Sequence, residues 1–376
     1  MHRLRCGTHR ILLAAGLVAG IPLPGFGQAP SEADKPLTIT LSKRFEIGGE
    51  RDKGVSLGII LPWMVAGTPQ GKLLILDPDD RQVLVIDSTG NLIQRFGKGG
   101  GGPGEFLIPT SLSVSPDGHI LVADAGKRAI VRFDSTGRVL TEERLNTRPI
   151  GIAEMATGFT VLVEGSSGLS IDRVSLGSGG RWKVLAETPP ARPIAYRNCP
   201  VGVPGRPLFS HSIRWAASSS RLAFAPSIEY DVQVLDAATR SAPVHARRRI
   251  PPLTVTESEA LASQEIAQGL MIRWGTEQCF VPRAELLRAR GFARQRSPIV
   301  ALALSPDGDL WVRRLHSAIS PGSTDIFSSA GVYRGTIDSP DIPFPVTFMS
   351  PTRMVSISSD RSGLSLVTVY DIRFAP

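Results

Sequence analysis

The stretch that decides the fold runs from Gly97 to Gly137, GKGGGGPGEFLIPTSLSVSPDGHILVADAGKRAIVRFDSTG. A glycine-rich connection leads into three short apolar runs, TSLSVS, HILVAD and AIVRFD, separated by SPDG, DAGKR and DSTG. The runs are rich in strand formers and the breaks in turn formers, because Asp-Gly supplies the positive φ of a tight hairpin and Pro presets the residue beside it. One such unit is a β-meander.

The unit recurs along the chain. LPWMVAG, KLLILD, QVLVID and NLIQRFG, over about 61–97, form the copy before it, with turns at TPQG, DPDDR and DSTG. Asp-Ser-Thr-Gly stands at 87–90 and again at 134–137, a period of 47 residues. Four strands in a period of that length is the signature of a propeller blade. Divergent copies follow at 149–187, 212–250, 297–338 and 345–374; the fifth repeats Ser-Pro-Asp-Gly at 305–308, and the sixth stops one strand short. The lone alternating strand at 37–47 supplies the missing one, and joining the two chain ends leaves no exposed edge.

The stretch FGKGGGGPGEFLIPTSLSVSPDGHILVADAGKRAIVRFDSTG resembles an NHL repeat, and the whole chain resembles the six-bladed β-propellers of bacterial exported proteins. The resemblance departs from the family where NHL repeats carry Asn-x-Arg after Val-Ala-Asp; here Lys127-Arg128-Ala129 stands instead, so a binding role for that arginine does not transfer. Asp124 and its counterpart Asp77 do match, as residues that tie down the following turn. The expectation is an all-β, six-bladed β-propeller over 30–376.

Two spacings depart from the repeat. TPPARPIAYRNCPVGVPGRPLF, a Pro-rich loop, separates blades three and four, and 251–296 separates blades four and five and reads as non-β. Thr256-Glu257-Ser258-Glu259 is a capping box opening a helix through about Arg273, with Ala267, Leu270, Met271 and Trp274 as its apolar stripe, and PRAELLRARGF is a second helix with Pro282 near its start. The expected architecture thus carries a small helical insertion between blades four and five. Both departures join an outer strand to the next inner strand, so both emerge on the propeller face where the second-to-third-strand loops also lie. Cys199 and Cys279 share that face, and an even pair in an exported chain suggests a disulfide, with two buried thiols as the alternative.

Residues 1–29 read as a signal peptide: a basic start with Arg3, Arg5 and Arg10, the apolar run ILLAAGLVAGI, then small residues at Gly27 and Ala29. The run is too short to span a bilayer, and no membrane span is expected after cleavage. A periplasmic or secreted location follows. The whole chain carries 42 Lys+Arg against 34 Asp+Glu; without the three leader arginines the balance is 39 against 34. No block of five or six like charges exists, so nucleic acid is not an expected partner.

The expected site is the channel mouth on the loop-rich face. Arg81, Arg128, Glu164, Tyr230, Arg313, His316 and Arg361 are placed on second-to-third-strand loops, with Arg148 and His211 at inner-strand starts. So many arginines point to an anionic ligand such as a carboxylate, phosphate or acidic glycan; the alternative is that they are simply solvated. Only His211 and His316 can share the mouth, which excludes a three-histidine zinc site, and no cofactor or metal is expected. KGGGGPG lacks the Lys-Ser/Thr and helix of a phosphate loop and reads as flexible. GSSG at 165–168 has no helix after it and is a hairpin turn rather than a nucleophile elbow. The function expected is a non-catalytic binding or scaffold module for a protein, peptide, glycan or small anionic ligand. The alternative is a metal-dependent hydrolase or lyase of the six-bladed lactonase or amidating-lyase type.

Overall fold

The computed structural model describes residues 32–50, 54–155, 160–164, 170–175, 180–197, 199–236, 242–319, 321–339 and 341–375. The expected signal peptide at 1–29 and the GSSG turn lie outside them.

Turn chemistry sets the strand lengths. In each Asp-Ser-Thr-Gly turn one carboxylate oxygen accepts three bonds: Asp87 from the Thr89 amide, the Thr89 hydroxyl and the Asn91 amide at 2.9, 2.7 and 2.9 Å, and Asp134 from Thr136 and Arg138 at 2.9, 2.6 and 3.0 Å. Gly90 and Gly137 follow at φ 100° and 78°, a region open to glycine at no steric cost. The Thr136 hydroxyl and the Arg138 amide hold Asp134 down to about 2, so the turn keeps its charge well into acid.

Six four-stranded antiparallel sheets result among the described residues. Blade one is Val65–Gly67, Leu73–Asp77, Gln82–Ile86 and Leu92–Phe96, and blade two is Pro109–Val114, Ile120–Asp124, Ala129–Phe133 and Val139–Arg144. Blade three is Pro149–Glu154, Thr160–Glu164, Ser170–Ser175 and Gly180–Glu187, and blade four is Arg214–Ala217, Arg221–Ala225, Asp231–Asp236 and Val244–Arg247. Ile299–Leu304, Leu310–Leu315, Pro321–Phe327 and Tyr333–Ile337 make blade five. Blade six takes Thr347–Ser350, Arg353–Ser359 and Ser365–Phe374 from the C-terminal end and Ile39–Gly48 from the N-terminal end, paired from Ile39 opposite Phe374 to Gly48 opposite Leu366. The expected closure is present.

The core lies between blades. Ile47, Leu73, Val83, Phe106, Phe133 and Val367 knit blades six, one and two; Ile130 meets Ile152 across two and three; Val163 and Ile171 meet Leu222 and Phe224 across three and four. Tyr230, Val232, Leu302 and Phe327 join four to five, and Trp311 and Ile326 join five to six through Phe348 and Met354. Each fully buried aliphatic or aromatic side chain contributes about 1.5–3 kcal/mol, so the ring holds through many interfaces of similar weight.

Ahead of the closing strand, residues 32–37 lie across the seam of blades four and five. The Glu32 amide donates to the Arg249 carbonyl at 3.1 Å, Leu37 to Thr336 at 2.8 Å and Thr336 back to Lys35 at 2.7 Å. Asp34 accepts from Arg248 at 2.8 Å and also from Arg314, and both arginines bond the fully buried Asp325, at 3.0 and 3.3 Å.

The two long connections differ from the expectation. The loop between blades three and four carries a hairpin, Arg192–Tyr196 with Cys199–Gly205. The 251–296 insertion is mixed: α1, Glu257–Leu261, opens with the expected reciprocal cap between Thr256 and Glu259, and α2, Arg283–Arg290, starts after Pro282. The expected helix stops at Leu261 instead of Arg273. Leu270–Trp274 is a strand paired with Glu277–Val281, and Leu253–Thr254 pairs with Gln295–Arg296. Gly269 and Gly275, at φ 72° and 57°, bracket the strand Leu270–Trp274 and break a helix at both ends, leaving Ala267 of the expected stripe outside it. Between them Ile272 is buried and Met271 and Arg273 are exposed, the two-residue period of a strand.

Tyr196, Cys199, Leu208, Ile266, Ile272, Val281, Leu286 and Leu287 form one core from both connections, and the Cys199–Cys279 disulfide joins the two hairpins. The connections therefore make a single cap. The glycine loop at 97–106 is also not free. Gly100 donates to the Phe106 carbonyl at 3.0 Å, Phe106 to Lys98 at 2.8 Å, and the Glu105 carboxylate accepts the Gly102 amide at 2.8 Å.

Candidate functional site

The cap meets the propeller over blades four and five, and a cavity of about 730 Å³ opens between them. Its propeller wall is Arg214 and Ile299, at the starts of two inner strands, with Arg296, Ser297 and Ile319. Its cap wall is Ala262–Glu265 and Arg290, and the linker from Gly205 to Ser212 closes the side. That linker is stitched to the end of α2: Leu208 donates to Gly291 at 3.0 Å and Ala293 to Leu208 at 2.8 Å. The next residue, Phe209, is forced to φ 58°, a strained value for an aromatic side chain.

The lining is basic, and its cations are unequally paired. Arg290 bonds the Glu265 carboxylate and donates to the Arg206 carbonyl at 2.8 Å. Arg206 donates to the Thr188 hydroxyl at 2.7 Å. Arg296 donates to the Ala318 carbonyl and lies 4.9 Å over the Phe209 ring. Arg214 has no hydrogen-bond, ion-pair or ring partner among the described residues. Burial alone pushes the Arg214 guanidinium below its ordinary pKa, and burial followed by repulsion from Arg214 does the same to Arg296. Both stay protonated, because guanidinium does not lose its proton in proteins.

His211 sits beside them. Both ring nitrogens are buried, and among the described residues neither has a partner in hydrogen-bond geometry. Burial first, and the Arg214 charge second, hold its pKa below the ordinary histidine value; the nearby carbonyls of Ala225 and Pro226 pull weakly the other way.

Of the residues expected at the mouth, the structure brings only His211 to this cavity. Arg81 and Arg128 occupy equivalent turns of blades one and two, both exposed and both at positive φ, 54° and 52°. Arg148 and Arg361 are exposed ahead of blade three and in a turn of blade six. Glu164 closes the second strand of blade three. His316 is exposed, 3.8 Å from Asp338. Two placements are corrected. Tyr230 is 3% exposed and donates to Asp325 at 2.6 Å, because it fills the seam between blades four and five. Arg313 lies within a strand, donating to the Thr324 hydroxyl at 3.0 Å. Among the described residues no three His, Cys, Asp or Glu side chains cluster to hold a metal ion. Asp124 takes the turn-tying role, accepting from Leu107, Ile108, Gly126 and Lys127 at 2.8–3.1 Å.

The residues that make the cavity, Arg214, Arg296, Arg206 and Arg290, were not singled out in the sequence. The available signal was position: Arg214 and Arg296 flank the two irregular connections, where a capped face is built.

Residues 67–158 match a family described as a 6-bladed beta-propeller. No curated protein matches the chain. Among solved structures it is similar to a Bacteroides fragilis protein described as exported, with 12% identity, 93% of this chain and 98% of that one covered, and a TM-score of 0.52. A member of the DUF4221 family from Bacteroides vulgatus gives 12%, 90%, 99% and 0.49, and a gluconolactonase from Xanthomonas campestris 12%, 92%, 99% and 0.40. The chain has the β-propeller fold. At 12% identity the likeness reaches the fold and stops short of any site.

Proposed function

We propose that this chain is an exported binding module that holds a small carboxylate- or phosphate-bearing molecule in the cavity under its cap. Arg214 carries the reading. A half-buried guanidinium with no partner among the described residues, beside a second half-buried arginine, favours a ligand that brings negative charge. The cavity volume falls in the range of small-molecule sites, and its serine hydroxyls and the Phe209 face suit an organic anion.

Export to the periplasm or the exterior is supported by the leader pattern, by the Cys199–Cys279 disulfide and by likeness to a protein described as exported. The NHL resemblance of the first blades agrees with the family match over 67–158 at the level of the propeller.

The test is calorimetric titration of the mature protein with a panel of carboxylates, sugar phosphates and acidic oligosaccharides, in parallel with Arg214→Met. At least one class binds the wild-type chain, and the variant weakens it by tenfold or more, about 1.4 kcal/mol or above. A ligand bound equally by both proteins, or no binding by any anion, overturns the reading.

A further inference from the structure

The proposed anion site leaves His211 unexplained: among the described residues both of its ring nitrogens are buried without a partner in hydrogen-bond geometry, at the cavity that Arg214 also lines. A buried polar group without a partner is rare and calls for a role. Direct ligation is not available to it, because neither nitrogen is exposed to the cavity space. What reaches the ring is charge. The other charged groups around the cavity are Arg206, Arg290, Arg296 and Glu265. Glu265 is bonded to Arg290, and the positive charge of Arg214 bears on the imidazole.

We propose that anion binding in this cavity is coupled through Arg214 to the uptake of one proton by His211. The inference rests on the anion-site reading. In the empty cavity a proton on His211 is opposed by the Arg214 charge and by burial. An anion seated on Arg214 and Arg296 cancels that charge, and the imidazolium forms with its N–H directed at the Ala225 or Pro226 carbonyl, already close to the ring. Linkage then gives the sign. The bound state holds the proton more tightly than the free state, so affinity is highest in mild acid and falls as pH rises through the bound-state titration of His211.

Sulfate is a suitable probe, since it keeps its double charge throughout this range. With ¹³C-labelled histidine, the ring signal of His211 is assigned by its loss in His211→Gln and followed from pH 5 to 8. Saturating sulfate shifts its midpoint upward, while His119, His245 and His316, away from the cavity, do not move. Sulfate affinity, measured at constant ionic strength, falls about threefold or more between pH 6 and pH 8 in the wild-type chain and stays flat in His211→Gln. If sulfate binds and Arg214→Met abolishes that binding, yet the His211 midpoint is unmoved, the coupling is overturned and the anion site stands. If wild type and Arg214→Met are alike toward sulfate, both readings fall.

Discussion

Two residues show how a single side chain is read against its surroundings. Asp124 is fully buried and accepts four backbone amides, two from its own turn and two from the connection between blades one and two. Asp124→Ala leaves those donors without an acceptor and destabilises the fold by about 1–3 kcal/mol in urea unfolding. Arg214 is the opposite case. It has no partner among the described residues to lose, so Arg214→Met leaves the unfolding midpoint unchanged or raises it, while weakening anion binding. Gain of stability with loss of binding is the mark of a functional residue held at a cost. The sequence displayed the role of Asp124, because the strand-ending Asp before a Gly-containing turn is local chemistry. It did not display that of Arg214, whose significance comes from the hydrogen-bond or ion-pair partner that it lacks, among the described residues, after folding.

At the scale of elements, the cap is where local patterns were least decisive. Ala267, Leu270, Met271 and Trp274 satisfy a helical period, yet Leu270, Ile272 and Trp274 also satisfy a strand period, and the glycines at 269 and 275 decide for the strand. The hairpin finds its partner 80 residues away through the Cys199–Cys279 bond, a separation no local window spans. Replacing both cysteines with serine removes a cross-link worth about 2–4 kcal/mol, and about 4 for a loop of this length in the chain-entropy model. The cap has its own core and the blades have theirs. Limited proteolysis of the double variant therefore cuts first within 188–213 and 251–296, and the blades persist as a resistant fragment. Simultaneous loss of cap and blades would show instead that they are one cooperative unit.

Across the whole molecule, the ring was legible because each blade repeats its turn chemistry and because one blade lacked a strand that the N-terminal segment could supply. The strap ahead of that strand was not legible: 32–37 is short and polar, and its value lies in Asp34 meeting Arg248 and Arg314 more than 200 residues away. Burial raises the Asp34 carboxyl, but the bonds and charges of the two arginines outweigh it and hold it below its ordinary value. A depressed native pKa contributes stability above the unfolded-state value and loses it as pH falls through the native one. Asp34→Asn is therefore less stable than wild type at pH 7, and thermal scans show the gap closing below about pH 4. A gap that is constant with pH would mean that Asp34 acts by shape rather than by charge.

The proposed function requires an anion seated at Arg214, and the most direct measurement is an anomalous-scattering map of crystals of the mature protein soaked in selenate. The predicted result is a selenium peak in the cavity beneath the cap within hydrogen-bond distance of both the Arg214 and Arg296 guanidinium groups, lost in Arg214→Met. A cavity without selenium, with Arg214 turned to an acidic partner of its own, would contradict it.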